Sequence, residues 1–126
     1  MKKLVLVVDD SEIVLEKATE ALVSRGYEVV TVASALAADR FIYGDVRPDV
    51  IILDVMMPYL DGDQKARMLK AERSTRDIPV LLLSSKSEDE LARLTSESGA
   101  DGYLRKPFTF KEMADKVEMA LSLGCI

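Results

Sequence analysis

Apolar runs alternate with amphipathic stretches from one end of the chain to the other. The runs are Leu4 to Val8, Val29 to Val32, Val50 to Leu53 and Val80 to Leu83, with a weaker one at Gly102 to Leu104. Each predicts a strand. The first, third and fourth are unbroken rather than alternating, as expected of parallel strands covered by helices on both faces.

The stretches between them carry helical spacing and helical ends. Ser11 to Arg25 places Val14, Ala18, Ala21 and Leu22 on one face and runs into Gly26, a residue suited to the left-handed stop. Further helices are predicted from about Ser34 to Tyr43 and from about Asp63 to Glu72. Ser87 with Glu90, and Thr109 with Glu112, have the spacing of a capping box and open the fourth and fifth helices. The last helix sets Phe110, Met113, Val117, Ala120 and Leu121 at helical intervals. Five strand and helix alternations predict an α/β domain with right-handed crossovers. Their number matches a flavodoxin-like, doubly wound, five-stranded parallel sheet of order 2-1-3-4-5 with five helices. In such sheets function gathers at the carboxyl ends of the strands.

Length and charge narrow the function classes. The 126 residues are expected to form one domain over 1–126, and 48% hydrophobic with 31% charged residues allow a substantial core. A net charge of -5, with 17 basic residues scattered among 22 acidic ones, argues against direct DNA binding, because phosphate backbones are held by clustered cations. Cys125 has no second cysteine to pair with, and its neighbours show no thiolate-stabilising pattern. No secretory leader pattern opens the chain, and Leu4 to Val8 is too short to span a bilayer. The expected setting is the cytoplasm, without membrane insertion.

Polar residues follow each apolar run at the expected functional edge. Asp9 and Asp10 follow the first strand, Asp54 the third, Ser84 and Ser85 the fourth, and Lys106 and Pro107 the weak fifth. Any one of them alone reads equally well as a loop residue or a helix cap. Three carboxylates brought together repel unless they protonate, separate or bind a cation. With no histidine and a single cysteine at the tail, oxygen ligands point to a hard ion: magnesium first, with calcium or manganese as substitutes. Magnesium held by few carboxylates completes its shell with water and phosphate oxygens. A carboxylate beside it can act as a nucleophile and form an acyl phosphate, while Lys106 and the Ser84 hydroxyl offer charge and a hydrogen bond to the phosphoryl oxygens.

The paired acids of Val8-Asp9-Asp10, the stretch from Leu53-Asp54 to Pro58 with Asp61-Gly62, the Ser84 hydroxyl, and Gly102 to Phe108 together resemble the receiver domains of two-component signalling. The resemblance covers essentially the whole chain. It implies Asp54 as phosphoacceptor, Asp10 as a direct magnesium ligand, Asp9 as a ligand through water, and Met56 as a ligand through its backbone carbonyl. It implies that Ser84 and Lys106 contact the phosphoryl group, that the Lys106 to Pro107 bond is cis, and that Tyr103 is a switch aromatic turning inward when Ser84 is drawn to the phosphoryl group. A plain alternative for Tyr103 is a half-buried strand tyrosine, and for Pro58 and Gly62 a loop-shaping role.

The implied function is that of a stand-alone switch, not a turnover enzyme. A sensor histidine kinase or histidine phosphotransfer protein would donate the phosphoryl group, and the switch would control binding of an unidentified downstream protein. Since the sequence ends at Leu123-Gly-Cys-Ile126 after the last helix, the output is expected to come from binding another protein, unless the chain is a fragment of a longer regulator. Two features depart from the family pattern. Asp63, Gln64 and Lys65 stand where an apolar anchor for the third helix is usual, and Ser84 replaces the more frequent threonine with its hydroxyl kept. Two rival functions are a degenerate receiver that binds partners without phosphorylation and a haloacid-dehalogenase-like phosphatase. Against the phosphatase, Met56 occupies the place of its second acid, two residues past the nucleophile.

Overall fold

The computed structural model describes residues 2–123. Its strands are β1 (Leu4–Val8), β2 (Glu28–Val32), β3 (Val50–Asp54), β4 (Val80–Ser84) and β5 (Gly102–Arg105). Its helices are α1 (Glu12–Val23), α2 (Ala35–Ile42), α3 (Gly62–Ala71), α4 (Glu88–Ser98) and α5 (Phe110–Leu123). The strands form one parallel sheet in the order β2-β1-β3-β4-β5, the flavodoxin-like topology expected from the alternation. Cys125 lies outside the described residues.

The unbroken apolar runs are explained by two cores. Along β1, Val5 and Val7 point into a cluster with α1 and α5, including Ala18, Leu22, Met113 and Val117. Leu6 and Val8 point to the other side, where Ala38 and Ile42 of α2, Ala66 and Leu69 of α3, and Leu91 of α4 gather. A strand whose alternate residues both face helices has no polar positions to offer, so β1, β3 and β4 are almost wholly buried. The edge strand β2 exposes Glu28 and Thr31, which gives it the mixed pattern seen in the sequence.

Helix ends depart from expectation in instructive ways. Helix α1 ends at Val23 with Ser24 as its cap, two residues short of Arg25, although Gly26 does take the left-handed conformation at φ 93. The Thr109 and Glu112 box forms fully, each side chain accepting from the other residue's amide. At α4 only half of the box forms. Ser87 accepts from the Glu90 amide at 3.2 Å, but the Glu90 carboxylate turns to the Lys86 ammonium at 3.1 Å. Phe110 is not a core residue: it is 43% exposed, and Phe108, two residues earlier, fills the core at 3%. The helix begins at Phe110, so the preceding loop, not the helical spacing, decides which aromatic enters.

The polar start of α3 has a physical resolution. The helix begins at Gly62, one residue before the expected Asp63, with Asp61 as its N-cap and the Gln64 side chain accepting from the Asp61 amide at 3.1 Å. Lys65 then replaces the usual apolar anchor by burying its aliphatic stem to 4% exposure and pairing its ammonium with Asp39 of α2. Removing Asp39 would leave a buried cation alone, which is the strongly unfavourable way to break such a pair.

Candidate functional site: an acidic pocket at the carboxyl edge

Strand register brings the site together. Val8 lies opposite Leu53, Asp54 opposite Leu83, and Ser84 opposite Arg105, so the residues that follow β1, β3, β4 and β5 emerge along one edge. Asp9 is fully buried, Asp54 is 4% exposed and Ser84 1% exposed, while Asp10 reaches solvent. One carboxylate oxygen from each of Asp9, Asp10 and Asp54 can be chosen so that all lie within 4.8 Å of one another. The Lys106 ammonium stands 2.7 Å from Asp9 Oδ2 and 3.2 Å from Asp54 Oδ1, tying two strand ends together. The Lys106 to Pro107 peptide bond is cis.

Each side chain is held by local backbone bonds. The Ser11 amide donates to Asp9 Oδ1 at 2.9 Å, so the residue that caps α1 also orients the buried acid. The Lys86 amide donates to the Ser84 Oγ at 3.1 Å, which leaves the hydroxyl proton free to donate elsewhere. Met56 lies two residues past Asp54 with its side chain largely exposed, whereas Met57 is buried. Tyr103 is half-buried against the apolar cluster that includes Leu91, with the Lys116 ammonium 5.5 Å from its ring centroid.

The electrostatics are those of a crowded acidic site. Burial, and next the neighbouring Asp9, push the Asp54 carboxyl up to about 6, and Lys106 offsets only part of that. The Lys106 ammonium is held above its usual value: burial works against the charge, but pairing with Asp9 and Asp54 outweighs it. Asp9 Oδ2 is buried, and the Lys106 ammonium at 2.7 Å is its partner. Three carboxylate oxygens this close, two of them from buried residues, are hard oxygen donors of the kind that suit a small divalent cation.

The glycine at the site has a function that the sequence reading gave only as loop shaping. A Cβ on Gly62 would stand 2.2 Å from the Asp54 carbonyl oxygen and 2.8 Å from its carbon. The Gly62 amide also donates to the Val55 carbonyl at 2.9 Å, so α3 starts directly against the backbone of the central acid. Gly62→Ala is expected to lower stability by about 1–3 kcal/mol or more, because the atoms it would meet belong to the Asp54 and Val55 backbone and cannot swing away. Urea unfolding checks this, and a change of less than about 0.5 kcal/mol, the range of an ordinary surface substitution, would contradict it.

Two supporting contacts were missed by sequence reasoning: the Lys65 and Asp39 pair, and a bond from Arg105 to the Lys86 carbonyl at 2.9 Å. Both join residues far apart in the chain, and neither has a spacing that signals it. Among the described residues no helix is long and apolar enough to cross a membrane.

The response regulator receiver domain family matches residues 5–118. The phosphate regulon transcriptional regulatory protein PhoB of Pseudomonas aeruginosa is 36% identical over 119 residues, covering 94% of this chain and 52% of its own length. The chain therefore spans about half the length of this curated relative. A putative response regulator from Chloroflexus aurantiacus superposes with a TM-score of 0.90 at 32% identity, over 97% of this chain and 99% of its own. The Vibrio cholerae chemotaxis protein CheY4 gives 0.86 at 29% identity, over 95% and 99%. A family match across nearly the whole sheet, joined to the acidic pocket at its carboxyl edge, places this chain among the response regulator receiver domains of two-component systems.

Proposed function

We propose that this chain is a stand-alone receiver, a single domain over 1–126, that accepts a phosphoryl group on Asp54 in a magnesium-dependent reaction and thereby switches its binding to another protein. One observation carries the reading: Asp9, Asp10 and Asp54 converge within 4.8 Å, and Lys106 bridges two of them.

In this reading an Asp54 oxygen forms a bond to phosphorus as the bond from phosphorus to the donor's imidazole nitrogen, or to a small acyl phosphate's bridging oxygen, breaks and the leaving group keeps the electron pair. Asp10, Asp54 and the Met56 carbonyl would hold magnesium directly and Asp9 through water. Bound magnesium supplies positive charge beside the phosphoryl oxygens. Lys106 balances negative charge on the same side, and the Ser84 hydroxyl donates its free proton to a phosphoryl oxygen. Beyond its own phosphorylation and dephosphorylation the chain turns over no substrate.

The donor is a sensor histidine kinase or a histidine phosphotransfer protein, and the setting is the cytoplasm. The output is proposed to be protein binding by the face of α4, β5 and α5, without direct DNA contact, in keeping with the net charge of -5. Ser84 ends β4 and Lys106 directly follows β5, the two strands bordering this face, and Tyr103 lies on β5 opposite Leu82, two positions before the level of Ser84. The name of the PhoB relative marks that protein as transcriptional, and only 52% of it is covered by this chain.

Phosphate-affinity electrophoresis after incubation with a small acyl phosphate, with and without magnesium, tests the reading. A labelled band that requires magnesium is expected; none with any donor would favour an interaction module instead. Asp10→Asn is expected to weaken magnesium binding about 3- to 10-fold more than Asp9→Asn, since a direct ligand loses geometry as well as charge. Calorimetric titration of the two variants measures this, and equal affinities would contradict the ligand assignment.

A further inference from the structure

Lys86, two residues past Ser84, is held from three sides. Its amide donates to the Ser84 Oγ at 3.1 Å, its ammonium pairs with Glu90 at 3.1 Å, and its carbonyl accepts from the Arg105 Nε at 2.9 Å. The last bond crosses from the loop after β4 to β5, where Arg105 sits opposite Ser84 in the register. The adjacent Lys106 amide donates to the Ser84 carbonyl at 2.8 Å. Arg105 thus neighbours the lysine that reaches Asp54 and grips the loop that orients the Ser84 hydroxyl. Its side chain is exposed, so core packing does not account for its placement.

We propose that Arg105 is a positioning residue for the phosphoryl site: through the Lys86 carbonyl it fixes the loop from Ser84 to Ser87 against β5 and so aims the Ser84 hydroxyl proton. This rests on the reading of Asp54 as phosphoacceptor. A hydroxyl is a free rotor until its acceptor side is engaged, and here that engagement comes from the Lys86 amide. The amide stays in place only while its loop does. A guanidinium donating to a carbonyl is a charge-assisted bond, stronger than the neutral bonds a short loop can make for itself. Acting through geometry, Arg105 should affect the maximal rate of phosphoryl transfer, not the donor concentration that half-saturates it, and should act only while the hydroxyl is present.

Arg105→Met keeps the aliphatic stem and removes the donor. With a small acyl phosphate and saturating magnesium, it is expected to lower the maximal phosphorylation rate about 3- to 10-fold, the effect of roughly one hydrogen bond. The half-saturating donor concentration should stay unchanged, and hydrogen exchange at the Lys86 amide should rise by a similar factor while Leu81 to Leu83 stay protected. In a Ser84→Ala background the same substitution should change the rate by less than about 2-fold, the non-additivity of two residues serving one contact. Arg105→Lys, which keeps a cationic donor, should fall between wild type and Arg105→Met. An undiminished effect in the Ser84→Ala background would overturn the proposal. So would an unchanged rate and exchange in Arg105→Met, or a loss that disappears in about 0.5 M salt, where steering by charge is screened. Failure of the wild type to label at all would instead overturn the phosphoacceptor reading, and this role with it.

Discussion

Asp54→Asn is expected to reduce magnesium-dependent labelling by at least ~100-fold, since loss of a covalent nucleophile costs far more than loss of a group that only positions it. The asparagine keeps the size and the end-of-strand backbone but has no carboxylate oxygen to bond to phosphorus. Asp9 and Asp10 are not ready substitutes. Asp9 is fully buried with one oxygen on the Ser11 amide and the other beside Lys106, and Asp10 is turned to solvent. Phosphate-affinity gels on wild type and variant decide the matter, with peptide mass spectrometry to locate any remaining label. Equal labelling of the variant, without a new acceptor, would remove Asp54 from the mechanism.

The same substitution is expected to stabilise the fold near pH 7–8 in the presence of a chelator, by about 1–3 kcal/mol. Burial and the neighbouring Asp9 raise the Asp54 carboxyl from 3.8 to about 6 in the folded chain. A folded-state value above the unfolded one means that the native protein binds the proton more tightly. The resulting stabilisation is complete below about pH 4 and is lost as pH rises through about 6. At neutral pH the charged Asp54 is therefore a burden on the native state, and the neutral asparagine escapes it. At about 1.4 kcal/mol per pH unit, the full shift sets the upper end of the range. Urea midpoints of both proteins between about pH 5 and 8 measure it, and the advantage of the variant should shrink steadily toward the acid end. A difference independent of pH would assign the effect to packing. Added magnesium should stabilise the wild type more than the variant, because a ligand that binds only the native state shifts the balance toward it.

Much of this protein was legible in its sequence. Five apolar runs, three of them unbroken, announced a parallel sheet with both faces covered, and β1 shows why: its alternate residues enter two different cores. Polar residues placed just after those runs marked Asp9, Asp10, Asp54, Ser84 and Lys106, because in a parallel sheet every strand ends on the same edge. Local chemistry is also written locally, as in the box formed by Thr109 and Glu112.

Tertiary structure decided what depends on distance rather than order. The sequence placed three carboxylates on one edge, but only the fold brings their oxygens within 4.8 Å and lifts the Asp54 carboxyl toward neutrality through burial. Helical spacing proposed Phe110 for the core, yet the approach of the preceding loop buries Phe108 instead. The polar start of α3 is accounted for by Asp39 across from Lys65, and the grip of Arg105 on Lys86 joins residues 19 positions apart. Periodicity and strand-end chemistry are properties of short segments, so a sequence displays them directly. Ion pairs, desolvation and close backbone approach depend on which segments meet, and that is fixed only when the two cores close on the sheet.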